Sequence, residues 1–152
     1  MRQGILAVAF CGLLGGCALT GPVATPETVD TSKIMIRADL DYKNGDFKAA
    51  EQSYRKVTKH SPSNATAQYW LGNSLAQQNR FGEAIEAYKT SLEHDANNTQ
   101  TYNNLATLYM LQAQAVLTSG VDHIPANNGN AAQIKHRLWQ LKKITPGKLQ
   151  AN

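Results

Sequence analysis

From residue 31 onward the apolar positions return at helical spacing, in short blocks separated by polar turns. Ala67, Leu71 and Leu75 fall on one helical face, and Ala84, Tyr88, Ser91 and Leu92 fall on another. Ser61, Ser63 and Asn64 precede the first of these blocks, and Asn97 and Asn98 precede a third; both clusters have the composition of turns and helix N-caps. The third block, "TQTYNNLATLYMLQAQAVL" (99–117), predicts a helix with no charge on any side, which implies cover by protein. Its amides Gln100, Asn103, Asn104, Gln112 and Gln114 argue against a membrane-crossing segment. "TSGVDHIPANNGN" (118–130) predicts a loop, because Gly120, Pro125 and Gly129 punctuate it. A last helix is expected over 131–144, stopped by Pro146-Gly147. It presents Ile134, Leu138 and Leu141 as an apolar stripe with Trp139 at its margin, and it should dock on the third helix and close the fold.

The first thirty residues follow another logic. Met1-Arg2 gives a positive start, Ile5 to Leu14 is an apolar run, and "LLGGC" follows. A spanning helix needs about 20 apolar residues, so this run is too short and reads as a signal segment. Cys11 and Cys17 would close too small a loop to help as a disulfide, and without a nearby histidine they are an incomplete metal set. Leu14-Gly15-Gly16-Cys17 resembles the lipobox of bacterial lipoproteins. That resemblance implies a signal peptide over 1–16 and a diacylglycerol on Cys17, and Cys11 behind bulky Phe10 is the poorer match. Ala18 after the cysteine implies outer-membrane sorting, on the periplasmic face. Residues 17–30, with Pro22 and Pro26, read as a tether reaching at most about 45 Å.

The body repeats itself with a period of 34 residues. Phe47 aligns with Phe81, Ala50 with Ala84, Tyr54 with Tyr88 and Asn64 with Asn98; Tyr102, Leu105, Ala106 and Tyr109 fall under Gln68, Leu71, Gly72 and Leu75. This resembles the tetratricopeptide repeat, whose units favour Trp, Leu, Gly and Tyr at positions 4, 7, 8 and 11, with Ala, an aromatic and Pro further on. Leu71, Gly72, Ala84 and Tyr88 match in the second unit, and Ala38, Ala50, Tyr54 and Pro62 match in the first. The resemblance implies an all-α fold, a short solenoid of stacked antiparallel helix hairpins with a C-terminal closing helix. Its units are 31–64, 65–98 and a partial 99–120, followed by loop, closing helix and tail over 121–152. Arg37 and Asp41 depart from the pattern and, four apart, are expected to pair on an exposed side. Thr118 stands where a third unit should carry alanine.

Charge and chemistry narrow the function. The chain carries a net charge of +4. Lys and Arg concentrate in 31–64 and in 121–152, and residues 99–120 carry none, so no block of like charge marks a nucleic-acid arm. His60, His94, His123 and His136 are scattered, Glu83 and Glu86 read as a solvated helix face, and no phosphate loop or nucleophile motif occurs. No enzyme activity, metal or cofactor is expected. Function should come from surface.

In the family, positions 2, 5, 9, 12 and 13 of each first helix face the groove. Here these are Ser32, Met35, Asp39, Tyr42 and Lys43; then Thr66, Tyr69, Asn73, Ala76 and Gln77; then Gln100, Asn103, Thr107, Met110 and Leu111. The amide-rich part, with Tyr69, Asn73, Gln100, Asn103, Asn104 and Thr107, suits a peptide backbone. Tyr69 in place of a basic residue makes a clamp for a terminal carboxylate a poor expectation. The basic closing helix, with Lys135, Arg137, Lys142 and Lys143, is the competing surface. The architecture resembles pilotin-like lipoproteins that assemble pili or secretion systems. It implies an adaptor for an envelope protein or peptide segment, such as a secretin or pilus component, held at the membrane by lipid. An adaptor for cell-wall enzymes or polysaccharide export is the alternative.

Overall fold

A computed structural model of the protein describes residues 30–145, and these contain six α-helices and no strand. They are α1 (Thr31–Lys43), α2 (Phe47–His60), α3 (Ala65–Gln77), α4 (Phe81–His94), α5 (Thr99–His123) and α6 (Ala131–Ile144). Cys17, the signal segment, most of the tether and Pro146-Gly147 lie outside the described residues. Helices α1–α2 fall within 31–64 and α3–α4 within 65–98, each pair an antiparallel hairpin stacked on the next.

The helix starts follow from the sequence. Asn64 Oδ1 accepts from Ala67 N at 2.9 Å and Asn98 Oδ1 from Thr101 N at 2.9 Å, so both predicted asparagine caps form. Asp30 and Asp46 cap α1 and α2 in the same way. The stops repeat as well. Gly45 has φ +81° and Asn79 has φ +61°, and each lets the chain reverse while Asp46 N bonds Asp41 O at 2.9 Å and Arg80 N bonds Leu75 O at 3.0 Å. These bonds, like the residues, lie 34 apart.

The third unit breaks this rule, and the reason can be read in one residue. The position that follows Gly45 and Asn79 by the same interval is Ala113. Alanine resists the left-handed conformation and is the strongest helix former, so no reversal occurs. Helix α5 therefore runs on for 25 residues, through the 118–123 stretch expected as loop; Gly120 lies inside it and the connection is confined to 124–130. Helix α6 packs back on the distal part of α5, with Ile134 against Gly120 and Gln114 Nε2 donating to Thr145 Oγ1 at 2.6 Å. Ile134, Leu138 and Leu141 are its half-buried stripe, and Trp139 is exposed, as expected.

The core runs through the seam inside each hairpin and between one hairpin and the next. Ala38 and Ala50, like Gly72 and Ala84, are the small residues that let paired helices approach, and Tyr54 and Tyr88 fill the space beside them. A Cβ placed on Gly72 would lie 2.5 Å from Tyr88 Cε1. On the outer side Arg37 pairs with Asp41 at 3.0 Å, as the spacing predicts. A larger network joins α2 to α4: Glu51 receives Arg55 at 2.8 Å, Arg80 at 2.6 Å and Gln78 at 3.0 Å, and Glu83 receives both Arg80 and Arg55.

Candidate functional site

The amide-rich positions of units two and three do not line an open groove. Tyr69, Asn73, Asn104 and Thr107 are buried; only Asn103 is exposed and Gln100 half-exposed. Tyr88 OH donates to Asn73 Oδ1 at 2.6 Å, and Asn104 Nδ2 donates to the same oxygen at 2.9 Å. Thr107 Oγ1 donates back to Asn103 O at 2.8 Å. These side chains join α3, α4 and α5 to one another. Burial raises the Tyr88 phenol far above its ordinary value, with Asn104 working against the shift. The four groove candidates Tyr69, Asn73, Asn104 and Thr107 are thus buried in the packing of these helices and do not line an open surface.

The opening lies one unit earlier. Tyr54 OH donates to Asp39 Oδ1 at 2.6 Å, the counterpart, 34 residues back, of the Tyr88–Asn73 bond. Above Asn73 the next unit places Asn104, small enough to enter and bond. Above Asp39 the equivalent residue is Trp70, whose indole cannot enter, and a cavity of about 190 Å³ remains, lined by Asp39, Tyr42, Lys43, Tyr54 and Trp70. The Tyr42 ring meets Trp70 edge-on at 5.0 Å and Phe47 at 5.2 Å, so the wall is held by ring packing on three helices. Burial raises the Tyr42 phenol, with a hydrogen bond to Gln77 opposing. Burial, and after it the hydrogen bond to the Asp39 carboxylate, raise the Tyr54 phenol above its ordinary value.

Asp39, Tyr42 and Lys43 stand at groove positions of the first unit, but nothing in the sequence ranked that unit above the next two. Trp70 and Tyr54 were missed as site residues. The signal for them was the residue at position 6, tryptophan in one unit and asparagine in the next.

Two other surfaces are less enclosed. A wide depression of about 290 Å³ carries Arg55, Glu83 and Glu86 at its edge, and Arg55 and Glu83 already satisfy each other. On α6 the basic residues Lys135, Arg137, Lys142 and Lys143 are exposed, and Lys143 Nζ lies 3.8 Å from the Trp139 ring centroid. Among the described residues no group of three or more His, Cys, Asp or Glu side chains is placed to hold a metal ion, and no helix is long and apolar enough to cross a membrane.

Stacked antiparallel hairpins with a closing helix define a short helical-repeat solenoid. Residues 37–99 match the tetratricopeptide repeat, covering most of the first two units. The all-helical fold is that of a short tetratricopeptide solenoid over these residues, an architecture that serves in general as a protein–protein interaction module. No curated protein sequence matches the chain.

Proposed function

We propose that this protein is a non-enzymatic, lipid-anchored adaptor of the bacterial envelope, whose inner face takes a partner segment by a basic side chain in the cavity of unit one. The observation that carries the binding part is the cavity itself. It combines one carboxylate, Asp39, with the aromatic rings of Tyr42, Tyr54 and Trp70. Rings and carboxylate both attract an ammonium or guanidinium group, and partial burial strengthens the attraction. Lys43 at the rim offers a contact for a carbonyl or carboxylate beside that cation.

Trp70 reports occupancy. In a Trp139→Phe background, N-acetyl-lysine amide should change Trp70 emission saturably, N-acetyl-norleucine amide should not, and Asp39→Asn should weaken the lysine response at least tenfold. Equal responses to both ligands, or no effect of Asp39→Asn, would refute the cavity as a cation site.

Anchoring rests on Leu14-Gly15-Gly16-Cys17 behind its apolar run. Two or more acyl chains hold a protein firmly where one holds it marginally. Labelled palmitate should enter the wild type and not Cys17→Ala; absence of label in the wild type refutes the lipoprotein reading. A pilotin-like role in pilus or secretin assembly at the outer membrane is the finer form of the proposal. Crosslinking in the native envelope tests it, and capture of wall enzymes or polysaccharide-export proteins in place of secretin or pilus components would overturn it.

A further inference from the structure

The third repeat leaves the seam of its hairpin open. In the second unit, positions 4, 7, 8 and 11 of the first helix, Gln68, Leu71, Gly72 and Leu75, are half-buried or buried in the seam that the second helix closes, with Gly72 tight against Tyr88. Their counterparts on α5 are Tyr102, Leu105, Ala106 and Tyr109. Because α5 does not reverse at Ala113, no helix of the described residues folds back along them; α6 meets α5 farther along, where Ile134 covers Gly120, the next position on the same line after Val116, and Gln114 bonds Thr145. Tyr102, Ala106, Tyr109, Ala113 and Val116 are all exposed, the three large ones at 51 %, 45 % and 71 %. Their spacing of four and three residues keeps them on one narrow stripe about 21 Å long.

We propose that a second copy of this chain covers the stripe, two α5 helices packing antiparallel about a two-fold axis at Tyr109. The order of sizes is the reason. Large, small, large, small, large reads the same in both directions from Tyr109, so an antiparallel copy sets Tyr102 against Val116, Ala106 against Ala113, and Tyr109 beside itself. Alanine opposite alanine permits interaxial distances near 8 Å, the close end of helix packing. A two-fold contact must be self-complementary, and this pattern is. Charge does not oppose it: no Asp, Glu, Lys or Arg occurs between residues 99 and 121. Lys89 of α4, near the Tyr109 hydroxyl, is already paired with Glu86 at 2.8 Å, and that hydrogen bond is the first cause that raises its pKa. The contact is independent of the cation cavity and of the lipid anchor.

The test uses the full chain with Cys11→Ser and Cys17→Ser. Sedimentation should show conversion from 16.6 kDa monomer to dimer as concentration rises through the micromolar range, as a contact at the small end of interfaces implies. Adding Tyr109→Cys should give a disulfide-linked dimer on mild oxidation, and Ala115→Cys, exposed on α5 but off the stripe, should not. Ala106→Glu with Ala113→Glu sets carboxylates face to face across the axis and should raise the dissociation constant more than tenfold with helical content unchanged. A chain that stays monomeric up to several hundred micromolar, a dimer indifferent to the two glutamates, or equal crosslinking from positions 109 and 115 would each overturn the proposal. The crosslinking pair needs no charged substitution, so it decides the matter even if the glutamate variant fails to fold.

Discussion

Gly72→Ala tests the packing of the second repeat most sharply, because it sets a favourable local effect against an unfavourable tertiary one. In an isolated helix the change gains about 1 kcal/mol of propensity. In this fold the new Cβ lies 2.5 Å from Tyr88 Cε1 and 2.6 Å from Cδ1. A flexible side chain could swing aside, but Tyr88 is fully buried and its hydroxyl is fixed by Asn73 at 2.6 Å. Reaching ordinary contact requires a shift of about 1 Å, by the ring or by α4. Overpacking costs about 1–3 kcal/mol. Breaking the buried tyrosine hydrogen bond adds about 1–3 kcal/mol. Less the propensity gain, the net loss is about 1–5 kcal/mol, a large part of a small domain's stability. At roughly 4 °C per kcal/mol for a body of this size, the melting temperature should fall by about 4–20 °C. Two controls isolate the cause. Gly82→Ala, in the first turn of α4 with nothing within 4 Å of the new Cβ, should be neutral or stabilising by up to about 1 kcal/mol. In a Tyr88→Leu background the further change Gly72→Ala should lose its penalty, because the fixed ring is gone. Thermal melts followed by circular dichroism measure all four chains. If Gly72→Ala alone melts at or above the wild-type temperature, the close approach of α3 and α4 at this point is wrong.

Asn104→Ala should lower thermal stability by about 1–3 kcal/mol, since it removes the donor to Asn73 and leaves that acceptor less satisfied; an unchanged melt would return Asn104 to the role of a ligand-binding residue. Thr101→Val should be neutral or slightly stabilising, because the Thr101 hydroxyl is buried without a hydrogen-bond partner and valine keeps its shape; a loss above about 1 kcal/mol in a melt would show that the hydroxyl is satisfied. Burial by itself would raise the Glu51 carboxyl, but hydrogen bonds from Arg55, Gln78 and Arg80 outweigh it and hold the pKa below the ordinary 4.5. The folded value lies below the unfolded one, so this stabilisation is complete above about pH 4.5 and is lost as pH falls through the folded value. Glu51→Gln should flatten that acid limb of the melting-temperature profile, and a profile identical to wild type would refute the assignment.

The repeat was legible because its packing depends on residue types with few substitutes. Small residues at Ala38, Ala50, Gly72 and Ala84 and rings at Tyr54 and Tyr88 recur at one interval, and stacked hairpins are the geometry that requires them. The length of α5 was less legible, because Gly120 and Pro125 looked like the informative residues. A glycine inside a helix costs only about 1 kcal/mol, which the flanking helix and the docked Ile134 can override. The decisive residue was Ala113, informative only beside Gly45 and Asn79: the turn was missing because nothing at that position favours a positive φ. The groove failed for a related reason. A family position says which way a side chain points from its own helix, but whether it meets water depends on the residue that the next unit sets above it. Asn104 closes over Asn73 with a hydrogen bond, whereas Trp70, whose indole is too large to enter in the same way, lines a cavity with Asp39. One substitution at a single repeat position therefore decides which unit is sealed and which is open. Exchanging the two residues, Trp70→Asn with Asn104→Trp, should move the cavity from unit one to unit two, and because Asn73 there stands in place of the Asp39 carboxylate, emission of the relocated indole should no longer respond to lysine; a lysine response as strong as wild type would refute the carboxylate's part in the site.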